Sequence, residues 1–197
     1  MAITLLVETE SSRTSVIATL CLAVLLCGVY PLLVWVMAQV FFPEKAAGSL
    51  VTRGGAVAGS RLIGQGFGGP RYFHSRPSAA GQGYDASNSG GSNLGPLSQK
   101  LVDTVQERVH RYRTENGLDD RTLIPADAAT SSGSGLDPHI SVQNARLQAG
   151  RVAGARGLRV EEVLREVAET AEGRDLGIFG EPRVNVLLLN LSLDGDR

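Results

Sequence analysis

The sequence of 197 residues predicts one N-terminal membrane helix followed by a single α+β domain. Three observations carry this prediction: an uncharged apolar stretch near the N-terminus, helical hydrophobic stripes in the second half, and short extended apolar runs at both ends of the domain. We divide the chain into a short N-terminal segment at 1–14, a transmembrane helix at 15–42 and a domain at 43–197.

The first element is the apolar stretch Ser15–Phe42, which contains no charged residue. A helix needs about 20 apolar residues to cross the hydrocarbon core, so this stretch is long enough. The alternative is a cleaved signal peptide, whose apolar core of about 7–15 residues would follow basic residues and precede small ones. Here Glu8 and Glu10 oppose a single Arg13, and "VFFPEK" follows the core, so we predict a retained anchor.

Two features of this helix bear on how it packs. Pro31 predicts a kink, which membrane helices tolerate. The small residues Ala18, Ala23 and Gly28 favour close packing of another helix, but their spacing of five predicts that they do not form a single stripe.

Residues 44–96 are rich in Gly, Ser and Pro, yet apolar and aromatic residues recur throughout, which disordered segments lack. We predict a short strand at Ser60–Gln65, followed by tight turns held by aromatic side chains. The run "GQGFGG" satisfies the G-x-G-x-x-G pattern of dinucleotide-binding loops. That fingerprint requires a helix to begin there, whereas Pro70 follows at once, so nucleotide binding is not predicted.

The second half of the chain predicts three helices. Apolar residues at a spacing of four predict the first, "PLSQKLVDTVQERVHRYRTENG", residues 96–117, with Asn116-Gly117 as its stop. Ser141 is a suitable N-cap for the second, "VQNARLQAGRVAGAR", which ends at Gly157. The third begins at Val160 and is closed by Gly173.

Two further strands are predicted near the C-terminus. The run "LGIF" reads as a brief strand, and "VNVLLLNLSLD" as the final one. Both faces of that last run are apolar, which is typical of a strand buried within a sheet.

The charge balance excludes some partners and leaves the orientation open. Of the charged residues, 18 of 19 basic and 18 of 20 acidic ones follow the apolar stretch. A neutral domain offers no electrostatic basis for binding nucleic acid. Lys45, Arg53 and Arg61 follow the span, and Arg13 precedes it, which weakly favours a cytoplasmic domain; the rule fades for long domains.

The segment "SSGSGLDPHIS", Ser131–Ser141, concentrates residues of catalytic type. Ser134 does not lie in a G-x-S-x-G elbow, and Asp137 and His139 are too close in sequence to form a triad easily. As metal ligands they would make an incomplete site. A turn that leads into the helix after Ser141 is the more economical interpretation, with a binding role for its surface left open.

The segment "PRYFHSRPSA" combines aromatic residues with arginine, a composition typical of interface anchors. Tyr72, Phe73 and Arg76 are its candidate interface residues. An ordinary role in the core and loops is the alternative.

Six stretches in register carry a family resemblance: "GSRLIGQ", "YFHSRPSA", "GSNLGP", "SGSGLDPHIS", "RVAGARGL" and "LGIFGEPRVNVLLLNLSLD". Together with the N-terminal span they resemble the C subunit of the bacterial Kdp high-affinity potassium-transporting P-type ATPase, over nearly the whole chain. Two local departures, "GPLSQKL" and "IPADAAT", lie outside these stretches.

The resemblance implies a non-catalytic accessory subunit of a potassium uptake complex. Its partners would be a channel-like potassium-binding subunit, a P-type pump subunit and the lipid bilayer. It would be anchored once in the bacterial plasma membrane, with a cytoplasmic N-terminus and the domain on the outer face. ATP and potassium would be handled by the complex, and the family is described as assisting ATP binding by the pump. No cofactor or metal is predicted on this chain.

A membrane-anchored extracytoplasmic hydrolase or sensor is the competing function. The candidate interface or structural residues are Gln65, Tyr72, Phe73, Arg76, Ser134, Asp137 and His139.

Overall fold

The structure is a computed structural model that describes residues 2–195, with side-chain surroundings from residue 12 onward. The chain divides into two compact units, Met1–Ser49 and Leu50–Arg197. The predicted α+β class with one N-terminal apolar helix is confirmed.

The first unit is a nearly continuous helix. Helix α1 (Ala2–Ala23) leads into a π-helical segment (Val24–Val29) and then into α2 (Tyr30–Phe41), and a short α3 (Pro43–Ala46) follows. Within the described residues one helical stretch, Ser12–Phe41, is long and apolar enough to cross a membrane.

The π-helical segment ends at Val29, two residues before Pro31. Proline lacks an N–H group, and its ring would clash with the carbonyl four residues earlier, so a wider turn relieves this conflict. Hydrogen bonds of a π-helix join residues five apart, as the Tyr30 N–H donates to the Leu25 carbonyl. Ala23 and Gly28 consequently line one apolar groove, and Ala18 is not among the residues that line it.

The second unit opens with a β-hairpin. Strands β1 (Leu50–Arg53) and β2 (Ala56–Ser60) pair antiparallel around Gly54 and Gly55, whose φ angles are 54° and 82°. Paired positive φ angles are the requirement of a type I′ turn, which glycines meet without strain. The predicted strand at Ser60–Gln65 is wrong because pairing ends at Ser60, after which residues 61–98 form turns and loops.

The predicted helices of the domain are confirmed, except that the third ends at Thr170 and not at Gly173. They are α4 (Gln99–Asn116), α6 (Val142–Arg156) and α7 (Val160–Thr170), with a short α5 (Ala126–Ala129) between the first two. Gly117 and Gly157 end α4 and α6 in the left-handed conformation, with φ angles of 62° and 68°. The Ser141 hydroxyl caps α6 by accepting a hydrogen bond from the Asn144 N–H at 3.1 Å.

A small antiparallel sheet lies beside these helices. Its strands are β3 (His139–Ser141), β4 (Ala171–Glu172) and β5 (Arg183–Asn185), in the order β3-β5-β4. The predicted strand "LGIF" is wrong: this stretch forms a turn closed by a single bridge between Asp175 and Phe179.

The last element corrects the sequence prediction most clearly. Of the predicted final strand only Val184 and Asn185 are extended, as part of β5, and helix α8 (Val186–Leu193) follows. The Asn185 side chain begins this helix by accepting a hydrogen bond from the Leu188 N–H at 3.2 Å. A short helix that is apolar all around has the same pattern as a strand buried on both faces, so periodicity alone does not separate them.

The core of the domain joins α6, α7 and α8 across the sheet and includes one aromatic residue from the long loop segment. Its buried members are Phe73, Ile140, Ala145, Ala149, Val152, Ala153, Val163, Val167, Val184, Val186 and Leu189.

The apolar helix generates the first prediction. Because Ser12–Phe41 lacks charged residues other than Arg13, we expect it to remain in the mature chain as a membrane anchor. Mass spectrometry of the chain from carbonate-washed membranes should find residues 12–41 still attached. A mature N-terminus after Phe42, or release of the chain by carbonate, would contradict it.

Candidate functional site

Three backbone carbonyl groups of the segment Ser131–Ser141 accept hydrogen bonds from distant loops. The Gly64 N–H donates to the Leu136 carbonyl at 2.7 Å, and the Gly90 N–H donates to the Ser134 carbonyl at 2.9 Å. The Ser78 hydroxyl donates to the Gly135 carbonyl at 2.6 Å. The segment therefore joins residues 60–90 to the helical half of the domain.

Two glycines make this close approach possible. A Cβ on Gly135 would lie 2.6 Å from the Ala80 nitrogen and from the Gly90 oxygen, and its φ of 68° already disfavours other residues. A Cβ on Gly64 would lie 2.6 Å from the Asp137 carbonyl oxygen.

Asp137 is the electrostatic centre of the segment. One carboxylate oxygen accepts from Arg76 Nη1 at 2.9 Å, and the other accepts from the His139 N–H at 3.0 Å. His139 Nδ1 lies 3.5 Å from the same carboxylate. Burial alone would raise the pKa of Asp137, but the hydrogen bonds from His139 and the ion pair with Arg76 outweigh it and lower that pKa to about 2.

Ser134 is exposed and belongs to the turn. Its hydroxyl accepts a hydrogen bond from the Leu136 N–H at 3.1 Å and lies 3.3 Å from the Ser132 hydroxyl. Among the described contacts none joins Ser134 to Asp137 or His139. The three side chains are thus not arranged as a nucleophile, a base and an orienting acid.

Asp127, which sequence reasoning missed, anchors the start of α6. Its carboxylate accepts hydrogen bonds from the Ser141 N–H at 2.8 Å, the Ser141 hydroxyl at 2.9 Å and Asn144 Nδ2 at 2.9 Å. It thereby orients the residue that caps the helix.

Buried amide side chains hold the irregular loop against the core. Asn190 accepts from the Phe73 N–H at 2.8 Å and donates to the Phe73 carbonyl at 3.0 Å. Gln148 does the same for His74, at 2.8 and 3.2 Å. Asn185 donates to the Arg61 carbonyl at 2.9 Å. Amide side chains offer a donor and an acceptor together, so they replace the strand that would otherwise satisfy this backbone.

A second layer of polar groups orients these amides. The Tyr112 hydroxyl and Gln148 Nε2 both donate to the Asn144 side-chain oxygen at 2.8 Å. Burial, and then the nearby Asp127 carboxylate, raise the pKa of Tyr112, so the hydroxyl keeps its proton as a donor. Arg151 donates to the Gln148 oxygen at 2.8 Å and to the Tyr72 carbonyl at 2.9 Å.

The sequence carried a signal for this network. Asn144, Gln148 and Arg151 follow one another at spacings of four and three, which places them on one side of α6. Asn144 and Gln148 are 1% exposed, although amides are seldom found fully buried.

The candidate interface residues differ in how deeply they are buried and in what they contact. Phe73 is fully buried in the core. Arg156 lies over the Tyr72 ring at 5.3 Å, and Arg76 is committed to Asp137. The Gln65 side chain packs against Gly59, and its Nε2 is buried without a hydrogen-bond partner among the described residues. An interface role for Tyr72 and Arg76 stays a prediction.

The domain also contains a polar cleft of about 190 Å³ beside this network, and Arg108, Arg111 and Glu115 lie at its wall. Within the part of the chain that the structure describes, no three His, Cys, Asp or Glu side chains converge as a metal site.

The comparisons with known proteins match both units. The family model described as "KdpC: K+-transporting ATPase, c chain" matches residues 12–195. The potassium-transporting ATPase KdpC subunit of Koribacter versatilis is 56% identical over 92% of this chain and 93% of its own length. Those of Nitratidesulfovibrio vulgaris and Beijerinckia indica are each 57% identical, over 92% and 89% of both chains.

The chain belongs to the KdpC family. It is a subunit of a potassium-transporting P-type ATPase and a membrane protein whose single apolar helix fits a single pass. In this KdpC chain, the segment Ser131–Ser141 and the buried amide side chains hold the loop residues in place against the helices.

The amide network predicts a large effect of Gln148→Ala. The substitution removes the partner of the part-buried His74 N–H and of Arg151 Nη2, and one of the two donors to the Asn144 oxygen. We therefore expect the free energy of unfolding to fall by about 3 kcal/mol. Gln143→Ala, which removes an exposed amide from the same helix, should change it by about 0.5 kcal/mol or less. Urea unfolding of the full-length chain in detergent micelles measures both; equal midpoints would contradict the role of Gln148.

Asp137 predicts a pH-dependent effect. Its folded pKa lies below the value of about 3.9 expected in the unfolded chain, so its stabilisation is present above pH 4 and is lost as the pH falls towards 2. Asp137→Asn should therefore lower the thermal midpoint of the full-length chain at pH 7. The difference from the wild type should shrink below pH 4. A gap that is constant with pH, or as small as that of the exposed Asp120→Asn control, would argue against it.

Proposed function

We propose that this chain is a non-catalytic accessory subunit that supports assembly and stability of the potassium-transporting complex. The observation that carries the proposal is the family match over residues 12–195, which includes both the apolar helix and the domain. The internal use of the chemically suggestive residues supports it: Asp137 pairs with Arg76, and Ser134 bonds within its own turn.

The proposed partners are a channel-like potassium-binding subunit and a P-type pump subunit. We propose that the N-terminus is cytoplasmic and that the domain lies on the outer face of the bacterial plasma membrane. The apolar groove around Gly28 supports packing of a partner helix against the span, because a Cβ there would meet no atom within 4 Å.

The proposal assigns ATP and potassium to the complex. Assistance of ATP binding by the pump subunit is part of the proposal on the family resemblance alone. A domain on the outer face would exert such an effect through a partner, since ATP binds on the inner side.

The alternative is a membrane-anchored extracytoplasmic hydrolase or sensor. Its support is the composition of Ser131–Ser141, and the exposed hydroxyl of Ser134 is the group it would need. The engagement of Asp137 with Arg76 and with the His139 N–H favours the accessory role. Ser134→Ala therefore separates the two functions.

The test is deletion of Glu44–Arg197 with the span retained. We expect loss of growth at micromolar potassium, because the span alone lacks the rigid surface that the partners would bind. Full-length Ser134→Ala is the control and should keep both growth and co-purification of two larger membrane proteins. Normal growth from the span alone would overturn the assembly role. Loss of growth in the control, with a hydrolytic turnover lost in parallel, would favour the alternative.

A further inference from the structure

The turn between β4 and β5 presents three large apolar side chains to solvent. Leu176, Ile178 and Phe179, here called the apolar tip, are 88%, 72% and 63% exposed. Scattered exposed apolar residues need no explanation, but three within four positions on one turn form a patch.

Backbone hydrogen bonds and ion pairs close this turn. The N–H of Asp175 donates to the Phe179 carbonyl at 2.8 Å, and the N–H of Phe179 donates back at 2.9 Å. Arg174 forms a two-pronged contact with the Glu181 carboxylate at 2.8 and 2.9 Å. Arg183, on the central strand β5, reaches both oxygens of Asp175 at 3.2 and 3.3 Å. The exposure of the tip is thus fixed by the fold.

The backbone of the tip points to the same conclusion. Leu176 has a φ of 54°, a left-handed conformation that bulky residues rarely adopt. Asn or Gly would occupy it with less strain, so a leucine here costs stability in the isolated chain. Strained positions of this kind cluster at sites of binding.

The charges around the tip identify the kind of partner. Residues 172–183 contain three carboxylates and two guanidinium groups, and those of Arg174 and Arg183 are paired inside the turn. A net negative turn does not suit an anionic lipid surface, which selects basic residues. Two copies meeting tip to tip would bring like charges together. An uncharged apolar recess on a different protein suits both properties.

We propose that the apolar tip is a docking anchor that inserts into an uncharged apolar recess of another subunit of the potassium-transporting ATPase. The inference rests on the proposed assembly role. Three side chains cover much less than the ~800 Å² that a stable interface buries on each partner. The tip is therefore one anchor within a wider contact, the arrangement in which a few central residues carry most of the binding.

The first test uses Leu176→Asn combined with Ile178→Thr in the full-length tagged chain. Asn tolerates the left-handed backbone, and Thr keeps the branched Cβ, so the thermal midpoint of the chain should not fall. Recovery of the partner subunits should drop by at least tenfold, the order of magnitude for losing one buried aliphatic contact. Leu123→Asn removes a leucine that is 82% exposed elsewhere and should leave recovery unchanged.

The outcomes separate this inference from the assembly role. If the wild-type chain recovers partners and the double variant recovers them equally well, the docking anchor is wrong while the assembly role stands. If the wild-type chain recovers none, the assembly role itself fails.

A second measurement identifies what the tip contacts. Photo-crosslinking from benzoylphenylalanine at position 178, in the intact complex in native membranes, should join this chain to another subunit. A crosslink to lipid or to a second copy of the chain would overturn the proposal.

Discussion

The domain depends on how a long irregular loop segment satisfies its backbone against an apolar core. Residues 61–98 contain no helix or strand, yet Phe73 from this segment is fully buried. An unpaired buried N–H or C=O group costs about as much as a lost hydrogen bond. Asn190 and Gln148 remove this cost by pairing with both groups of Phe73 and of His74. The aromatic anchor can therefore be buried without a strand.

This constraint determines the composition of the surrounding helices. Helix α6 presents the buried amides Asn144 and Gln148 to the loop, beside small core alanines at 145, 149 and 153. Helix α8 combines leucines with Asn190 for the same reason. Their hydrophobic patterns are consequently poor guides to their structure, whereas α7 buries Val163 and Val167 along a regular stripe.

The parts of the fold that sequence predicts are those fixed by neighbouring residues. Ser141, Gly117 and Gly157 act within a turn of the helices they begin or end, so these boundaries are confirmed. Gln148 and its partner His74 are 74 positions apart in the sequence, and Asn190 and its partner Phe73 are 117 apart. No local sequence pattern indicates contacts over such separations. The strand prediction for the apolar run after Asn185 is wrong for a different reason, because a buried strand and a short buried helix can have the same run of apolar residues. The segment at 131–141 was predicted as a turn that leads into a helix, but Asp127 and Arg76 enter only through the tertiary structure.

The need to satisfy backbone hydrogen-bonding groups also explains why residues of catalytic type occur together in Ser131–Ser141 without forming a catalytic arrangement. A segment that must accept hydrogen bonds from two loops and still begin a helix needs glycines for close approach, a carboxylate for exposed N–H groups and a hydroxyl for the cap. Gly135, Asp137 and Ser141 fill these roles in turn. Because these polar groups are used internally, recognition by this subunit falls to side chains that the interior leaves unused. On the described surface, the turn between β4 and β5 carries three such exposed apolar side chains. The left-handed conformation of Leu176 costs stability in the isolated chain, and binding of the leucine to a partner subunit would offset that cost.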